Sequence, residues 1–242
     1  FYKVKDHTEY GIPASYYITQ INYAEGRYET VIHEGESLLV RHPGNEFNTE
    51  LNRLVGESWF RMGEDSKAVG YLEKYVAAIA KPLRNSLYSL GVALYRTGDY
   101  SGAVKELSRT TNKNDALSQN AYLYLGQSYL KLGDKNNARL AFDVASRATF
   151  DKQVQEAALY NYAMTIHETS YSPFDESVLV FEKFLNTFPR SRYADRINDY
   201  LVEVYLNTRN YNAALTSINK IKDPTAKILK AKQRILFQLG TQ

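Results

Sequence analysis

Leu125-Gly126-Gln127-Ser128-Tyr129-Leu130-Lys131-Leu132-Gly133-Asp134-Lys135-Asn136-Asn137-Ala138 decides the fold. Apolar residues at 123, 125, 129 and 132, then at 138, 142 and 145, mark two stripes at helical spacing around Gly133-Asp134. Gly133 is expected to take the left-handed conformation that ends a first helix, and Asp134 to cap the amides that begin a second. Gly126 and Ala138 are expected to face each other where the helices cross, because a larger side chain would hold the backbones apart. The segment therefore reads as a helical hairpin.

Outward from it, the pattern repeats. Turn glycines stand at Gly26, Gly63, Gly98 and Gly133; Gly56, Gly91 and Gly126 precede the last three by seven residues, and Ala68, Ala103 and Ala138 follow them by five. Fixed offsets of this kind are the signature of a repeat fold. Six hairpins are expected, over residues 12–45, 46–82, 83–114, 115–150, 151–190 and 191–223, with partial repeats at 1–11 and 224–242. In the fifth, Ser170-Tyr171-Ser172-Pro173-Phe174 lengthens the turn; in the sixth, Arg209-Asn210 replaces the glycine, with Asn210 expected in the left-handed position.

Tyr122, Leu125-Gly126, Tyr129, Gly133-Asp134, Ala138, Phe142 and Ala145 together resemble the tetratricopeptide repeat, as do Leu87, Leu90-Gly91, Leu94, Gly98-Asp99-Tyr100, Ala103 and Leu107. The resemblance covers essentially the whole chain. It implies an all-α fold, a right-handed superhelical solenoid of stacked antiparallel helix hairpins. Neither end carries the polar capping repeat that such arrays use. Phe1 and Val4 fit the second helix of a preceding repeat, and residues 228–239 fit a first helix whose turn glycine is Gly240. The sequence is therefore expected to be a piece of a longer array, whose uncapped ends could self-associate.

Composition narrows the function. Thirty Lys and Arg against 27 Asp and Glu give +3, which speaks against nucleic acid, and the absence of cysteine excludes disulfides and thiolate metal sites. No apolar run is long enough to span a membrane. Phosphate-cradling glycine loops, Gly-x-Ser-x-Gly and His-Glu-x-x-His are absent, and His7, His33, His42 and His167 lack ligand spacing. Neither catalysis nor a cofactor is expected.

The resemblance instead implies a binding scaffold, its concave face lined by first helices. On that basis Arg53, Phe60, Arg61, Tyr88, Tyr95, Arg96, Asn120, Gln127, Lys131 and Asn161 are the expected partner-binding residues. Tyr16, Gln20, Tyr23, Glu57, Asn85, Leu123 and Thr165 fall on the same face, and later copies turn acidic with Asp199 and Glu203. Arg61, Arg96 and Lys131 each stand two residues before a turn glycine, so they would form a ladder able to receive carboxylates or a peptide C-terminus. The same cations would also offset helix dipoles. Glu57, Val92 and Gln127 occupy the positions where the family's chaperone-tail clamp has lysine and asparagine, which argues against a chaperone tail. The expected partner is a protein or peptide. The alternative is a glycan-binding or sensor module of a bacterial envelope protein, because Tyr16, Tyr23, Tyr88 and Tyr95 offer faces for sugar rings.

Phe188-Pro189-Arg190-Ser191-Arg192-Tyr193-Ala194 is similar to repeats of bacterial envelope proteins such as the TolA-binding coordinator protein and the barrel-assembly lipoprotein. That similarity implies a periplasmic or envelope location, with the cytoplasm as the alternative. Pro189 as a helix stop and Ser191 as a cap would explain the string without it.

Overall fold

The glycine-marked turns and the apolar stripes between them produce thirteen α-helices and no strand among the described residues. The computed structural model describes residues 1, 3, 10–169, 176–208 and 210–241. Val4, His7, Ser170 to Phe174 and Arg209 lie outside the described residues. Two compact units result, Phe1–Leu132 and Gly133–Gln242.

The first unit holds α1 (Gly11–Ala24), α2 (Tyr28–Arg41), α3 (Asn48–Arg61), α4 (Asp65–Ala78), α5 (Arg84–Thr97), α6 (Tyr100–Ser108) and α7 (Ala116–Lys131). The second holds α8 (Lys135–Arg147), α9 (Lys152–Thr169), α10 (Glu176–Thr187), α11 (Ala194–Asn207), α12 (Tyr211–Ile218) and α13 (Ala226–Gly240).

Gly26, Gly63, Gly98 and Gly133 all have positive φ, from 74° to 93°. In the first unit the turn repeats atom for atom. Arg27 N–H donates to Asn22 O at 2.9 Å, Glu64 N–H to Trp59 O at 3.0 Å and Asp99 N–H to Leu94 O at 2.9 Å, satisfying the last carbonyls of each first helix. Asp99 and Asp134 cap the next helices, accepting from Gly102 N–H at 2.8 Å and Asn137 N–H at 3.0 Å. Asn210 does not take the left-handed position. Its φ is −96°, and its side chain accepts from Ala213 N–H at 3.1 Å, so it fills the aspartate's role as cap rather than the glycine's. Gly240 likewise remains within α13 without positive φ.

The close approach holds at Gly56 and Gly91, but its neighbour is one turn beyond the alanine. A Cβ on Gly56 would lie 2.8 Å from Leu72 Cγ and 3.1 Å from Leu72 N; on Gly91 it would lie 2.6 Å from Leu107 Cγ and 3.2 Å from Leu107 N. Ala68 and Ala103 are fully buried beside these contacts. A further glycine, Gly35 in α2, serves the next interface, where a Cβ would meet Val55 Cγ2 of α3.

Within the first unit, α1, α3, α5 and α7 touch in succession, whereas second helices approach one another less. Consecutive first helices therefore make one continuous face. Arg84 ties α5 to the start of α7. Its guanidinium donates to Asp115 Oδ1 at 2.7 Å, to Ser118 Oγ at 2.6 Å and to Thr110 O at 2.6 Å, holding the Asp115 carboxyl well below the usual range.

In the second unit Phe181, Phe184, Ile197, Leu201, Tyr205, Ile218 and Ile228 form the core. Glu182 is buried in it, accepting from Ser217 and from Tyr205 O–H at 3.3 Å. Ser191 Oγ accepts from Tyr193 N–H at 3.0 Å, so the string after Pro189 has a structural role as a turn into α11.

Two measurements probe this packing. Overpacking costs about 1–3 kcal/mol and should outweigh the helix-propensity gain of roughly 1 kcal/mol, so Gly91→Ala should lower the urea midpoint. Gly70→Ala in α4, where a Cβ meets nothing within 4 Å, should instead stabilise by about 0.5–1 kcal/mol. The opposite order of midpoints would refute the crossing geometry. Burial pushes the Glu182 carboxyl up, only partly offset by Lys220 and the Tyr205 hydroxyl. The fold thus favours the protonated form. Its contribution is complete below the ordinary value of 4.5 and lost as pH rises through the raised folded value. Thermal melts of wild type and Glu182→Gln should diverge as pH rises, with wild type losing ground; parallel curves would count against this.

Candidate functional site

The continuous first-helix face of the first unit carries nine of the ten residues that the sequence nominates. Its floor is set by one buried carboxylate. Glu57 of α3 accepts from Tyr23 O–H of α1, from Ser86 O–H of α5 and from Arg53 Nη1 at 3.1 Å, so one side chain joins three consecutive first helices. Arg53 also donates to Glu50 at 2.7 Å and lies 5.9 Å from the Tyr23 ring centroid. Burial and the bond to Glu57 push the Tyr23 phenol up. Arg53 is therefore spent inside the protein, and the structure gives its guanidinium a tying role where the sequence suggests a partner contact.

Toward α7 the face becomes aromatic. Tyr124 packs edge-on against both Tyr88 and Tyr95, at centroid distances of 6.4 Å and 5.5 Å. Burial, with Tyr124 nearby, pushes the Tyr88 phenol up to about 12. Arg96 lies 5.4 Å from the Phe60 ring centroid and reaches Asp65 at 3.4 Å. Tyr124 is the member that sequence reasoning missed. It stands where two earlier copies have Ser89 and Leu54, but the first and fifth copies have Tyr17 and Tyr162 there, so the register carried no signal that singled it out.

The three-cation ladder resolves into unequal rungs. Arg96 is partnered, while Arg61 and Lys131 are exposed and form no ion pair among the described residues. Asn120 Nδ2 is used by Ala116 O at 3.0 Å, which leaves its carbonyl oxygen as an acceptor. Gln127 is half-buried and Leu123 buried beneath the face. Tyr16 is buried against Phe47, their rings stacked at 4.3 Å, so neither it nor Tyr23 presents a free face for a sugar.

In the second unit, Asn161 of α9 donates to Ala157 O at 2.8 Å and its carbonyl accepts from Thr165 at 2.8 Å. Asp199 is neutralised by Lys227 at 2.5 Å. His33 is exposed, His42 half-buried, and His167 packs 4.8 Å from Tyr200. No group of three or more metal-ligating side chains occurs among the described residues, and none of their helices is long and apolar enough to cross a membrane.

Successive helix hairpins, with the first helices of the first unit stacked in turn, define a helical-repeat fold of the tetratricopeptide type. Residues 61–145 match the family model of anaphase-promoting complex, cyclosome, subunit 3. Among solved structures, YrrB, described as a TPR protein with an unusual peptide-binding site, is similar with TM-score 0.66 and 15% identity, covering 81% of this chain and 96% of its own. MamA has TM-score 0.60 at 20% identity, over 75% of this chain and 93% of its own. A tetratricopeptide repeat protein from Parabacteroides merdae has TM-score 0.56 at 16% identity, over 95% and 87%. No curated protein sequence matches the chain.

Replacing Glu57 with Ala leaves Tyr23, Ser86 and Arg53 without their acceptor and should cost about 1–3 kcal/mol. Glu50→Ala, which removes only a rim partner of Arg53, should cost less than about 1 kcal/mol. Fluorescence of Trp59, the single tryptophan, reports both through urea unfolding, since its indole donates to Glu36 at 2.9 Å in this unit. Equal losses would remove Glu57 from its tying role.

Proposed function

We propose that the protein is a non-catalytic scaffold that holds a peptide or protein partner against the first-helix face of the first unit. The carrying observation is the pairing of two unmatched cations, Arg61 and Lys131, with the half-buried aromatic floor of Phe60, Tyr88, Tyr95 and Tyr124. Such a surface suits an extended segment with a carboxylate or C-terminus near each cation and an apolar side chain between them. The similarity in fold to a protein described by its peptide-binding site supports the reading. Edge-on packing among the tyrosines favours a peptide over a glycan, because it occupies ring faces that sugars would need. The bacterial-envelope location implied by Phe188 to Ala194 belongs to this proposal, and a secretion signal encoded upstream would support it.

Charge-assisted hydrogen bonds contribute about 1.5–3 kcal/mol each. Panning a random peptide library on the immobilised protein should therefore enrich sequences with carboxylates beside an aromatic or leucine. The Arg61→Glu/Lys131→Glu variant should bind these peptides at least about tenfold more weakly, with unchanged helix content. Absence of enrichment, or equal binding by the variant, sinks the proposal.

A further inference from the structure

The second helices carry one outward position that repeats along the chain. Two residues after the buried Ala68, Ala103, Ala138, Ser177 and Ala214 stand Gly70, Lys105, Leu140, Leu179 and Thr216, every one of them exposed. Of these five helices only α8 and α10, which belong to consecutive hairpins, place a large apolar side chain there. Leu140 is 60% exposed and Leu179 61%, and Val144 is exposed one turn beyond Leu140. A lone apolar residue on a surface needs no explanation, whereas two consecutive copies that depart together make a patch.

Leu140 and Leu179 also line a groove of about 310 Å³, in which Tyr162 and Ile166 of α9 take part. Protruding leucines thus stand beside a recess able to receive one. The charges around it are balanced. Arg139 lies 3.6 Å from Glu176 and Arg147 lies 2.7 Å from Asp143, while Lys183, one turn beyond Leu179, is not part of the lining. Paired charges of both signs give little net attraction to a polynucleotide or to a segment of one charge. They suit a surface that meets itself. A two-fold axis sets residue i of one copy against residue j of the other and j against i, so a patch holding leucine, recess, cation and anion together is complementary to its own image.

We propose that the outward sides of α8 and α10 are the contact surface of a two-fold homodimer, with the exposed leucines of each copy seated in the groove of the other. Arg139 of each copy then faces Glu176 of the other, and the two ion pairs join into four charges of alternating sign. Leucines supply the affinity and the charges fix the pairing. Two helices from each copy make a contact at the small end of the size range for specific interfaces, so the dimer is expected to form in the micromolar range.

Sedimentation velocity on the full chain, from low to hundreds of micromolar, tests it and should show a monomer–dimer equilibrium. Leu140→Glu and Leu179→Glu should each weaken the dimer about tenfold or more. Both side chains are exposed, so circular dichroism should be unchanged. Charge exchange provides the sharper readout. Arg139→Glu sets carboxylates against carboxylates across the two-fold axis, and Glu176→Arg sets guanidinium groups against guanidinium groups, so each variant alone should stay monomeric. Mixed in equal amounts, they present opposite charges to each other and should associate at least about tenfold more tightly than either does alone. A monomer throughout the range would overturn the proposal. So would a mixture no more associated than its components, or a dimer that survives both leucine substitutions, which would place the contact on another surface.

Discussion

In the second and third hairpins the backbone of the first helix lies against the second helix with no room for a Cβ, at Gly56 over Leu72 and at Gly91 over Leu107. Everything else in the hairpin follows from that contact. Close crossing lets the leucine reach across and leaves only an alanine-sized space one turn earlier, at Ala68 and Ala103. It also fixes which side of the first helix is buried. The opposite side then carries residues that have no packing duty, and stacking places those sides next to one another along α3, α5 and α7. A continuous first-helix face is thus a geometric by-product of where a glycine must stand.

Turn chemistry is local, and that is why it was legible. Gly133 needs its left-handed φ and Asp134 its cap whatever the rest of the chain does, and both can be read from the adjacent pair. Asn210 shows the limit of that reading. Asparagine suits both roles, and only the register of the neighbouring helix distinguishes the cap position from the glycine position before it. The Gly–Leu contact was legible as a close approach and not as a pair. Small residues advertise a crossing, whereas the side chain that fills the space is set by helix rotation, which spacing alone does not fix.

Ties between repeats were invisible for a different reason. Glu57 reaches Tyr23 and Ser86 across 34 and 29 positions, and nothing in a 35-residue pattern says which polar side chain of one copy meets which of the next. The two units solve the burial of such a carboxylate differently. Glu57 has a guanidinium as well as two hydroxyl donors, whereas Glu182 has hydroxyls from Tyr205 and Ser217 and no ion pair among the described residues. A guanidinium compensates a buried negative charge directly. Burial pushes Glu182 toward its neutral form, and its hydroxyl partners satisfy the oxygens without compensating the charge.

The same accounting explains why a list of exposed-looking polar residues on first helices was longer than the surface that remains available. Arg53 balances Glu50 and Glu57, Arg96 balances Asp65, and Asn120 has committed its amide nitrogen to its own helix. What remains is a set of donors at Arg61 and Lys131 and an acceptor at Asn120, arranged around rings that pack on one another. Preorganised aromatic floors lose little side-chain freedom on binding, so affinity would come from the rings and discrimination from the cations. A segment that brought only hydrogen-bond acceptors would satisfy the cations and leave the Asn120 oxygen unmatched. One that also offers a backbone N–H beside its carboxylate would satisfy both. An extended peptide carries a backbone N–H at every residue and a carboxylate at its C-terminus and at each Asp or Glu, which is the physical reason the proposed peptide would suit this face better than a small anion.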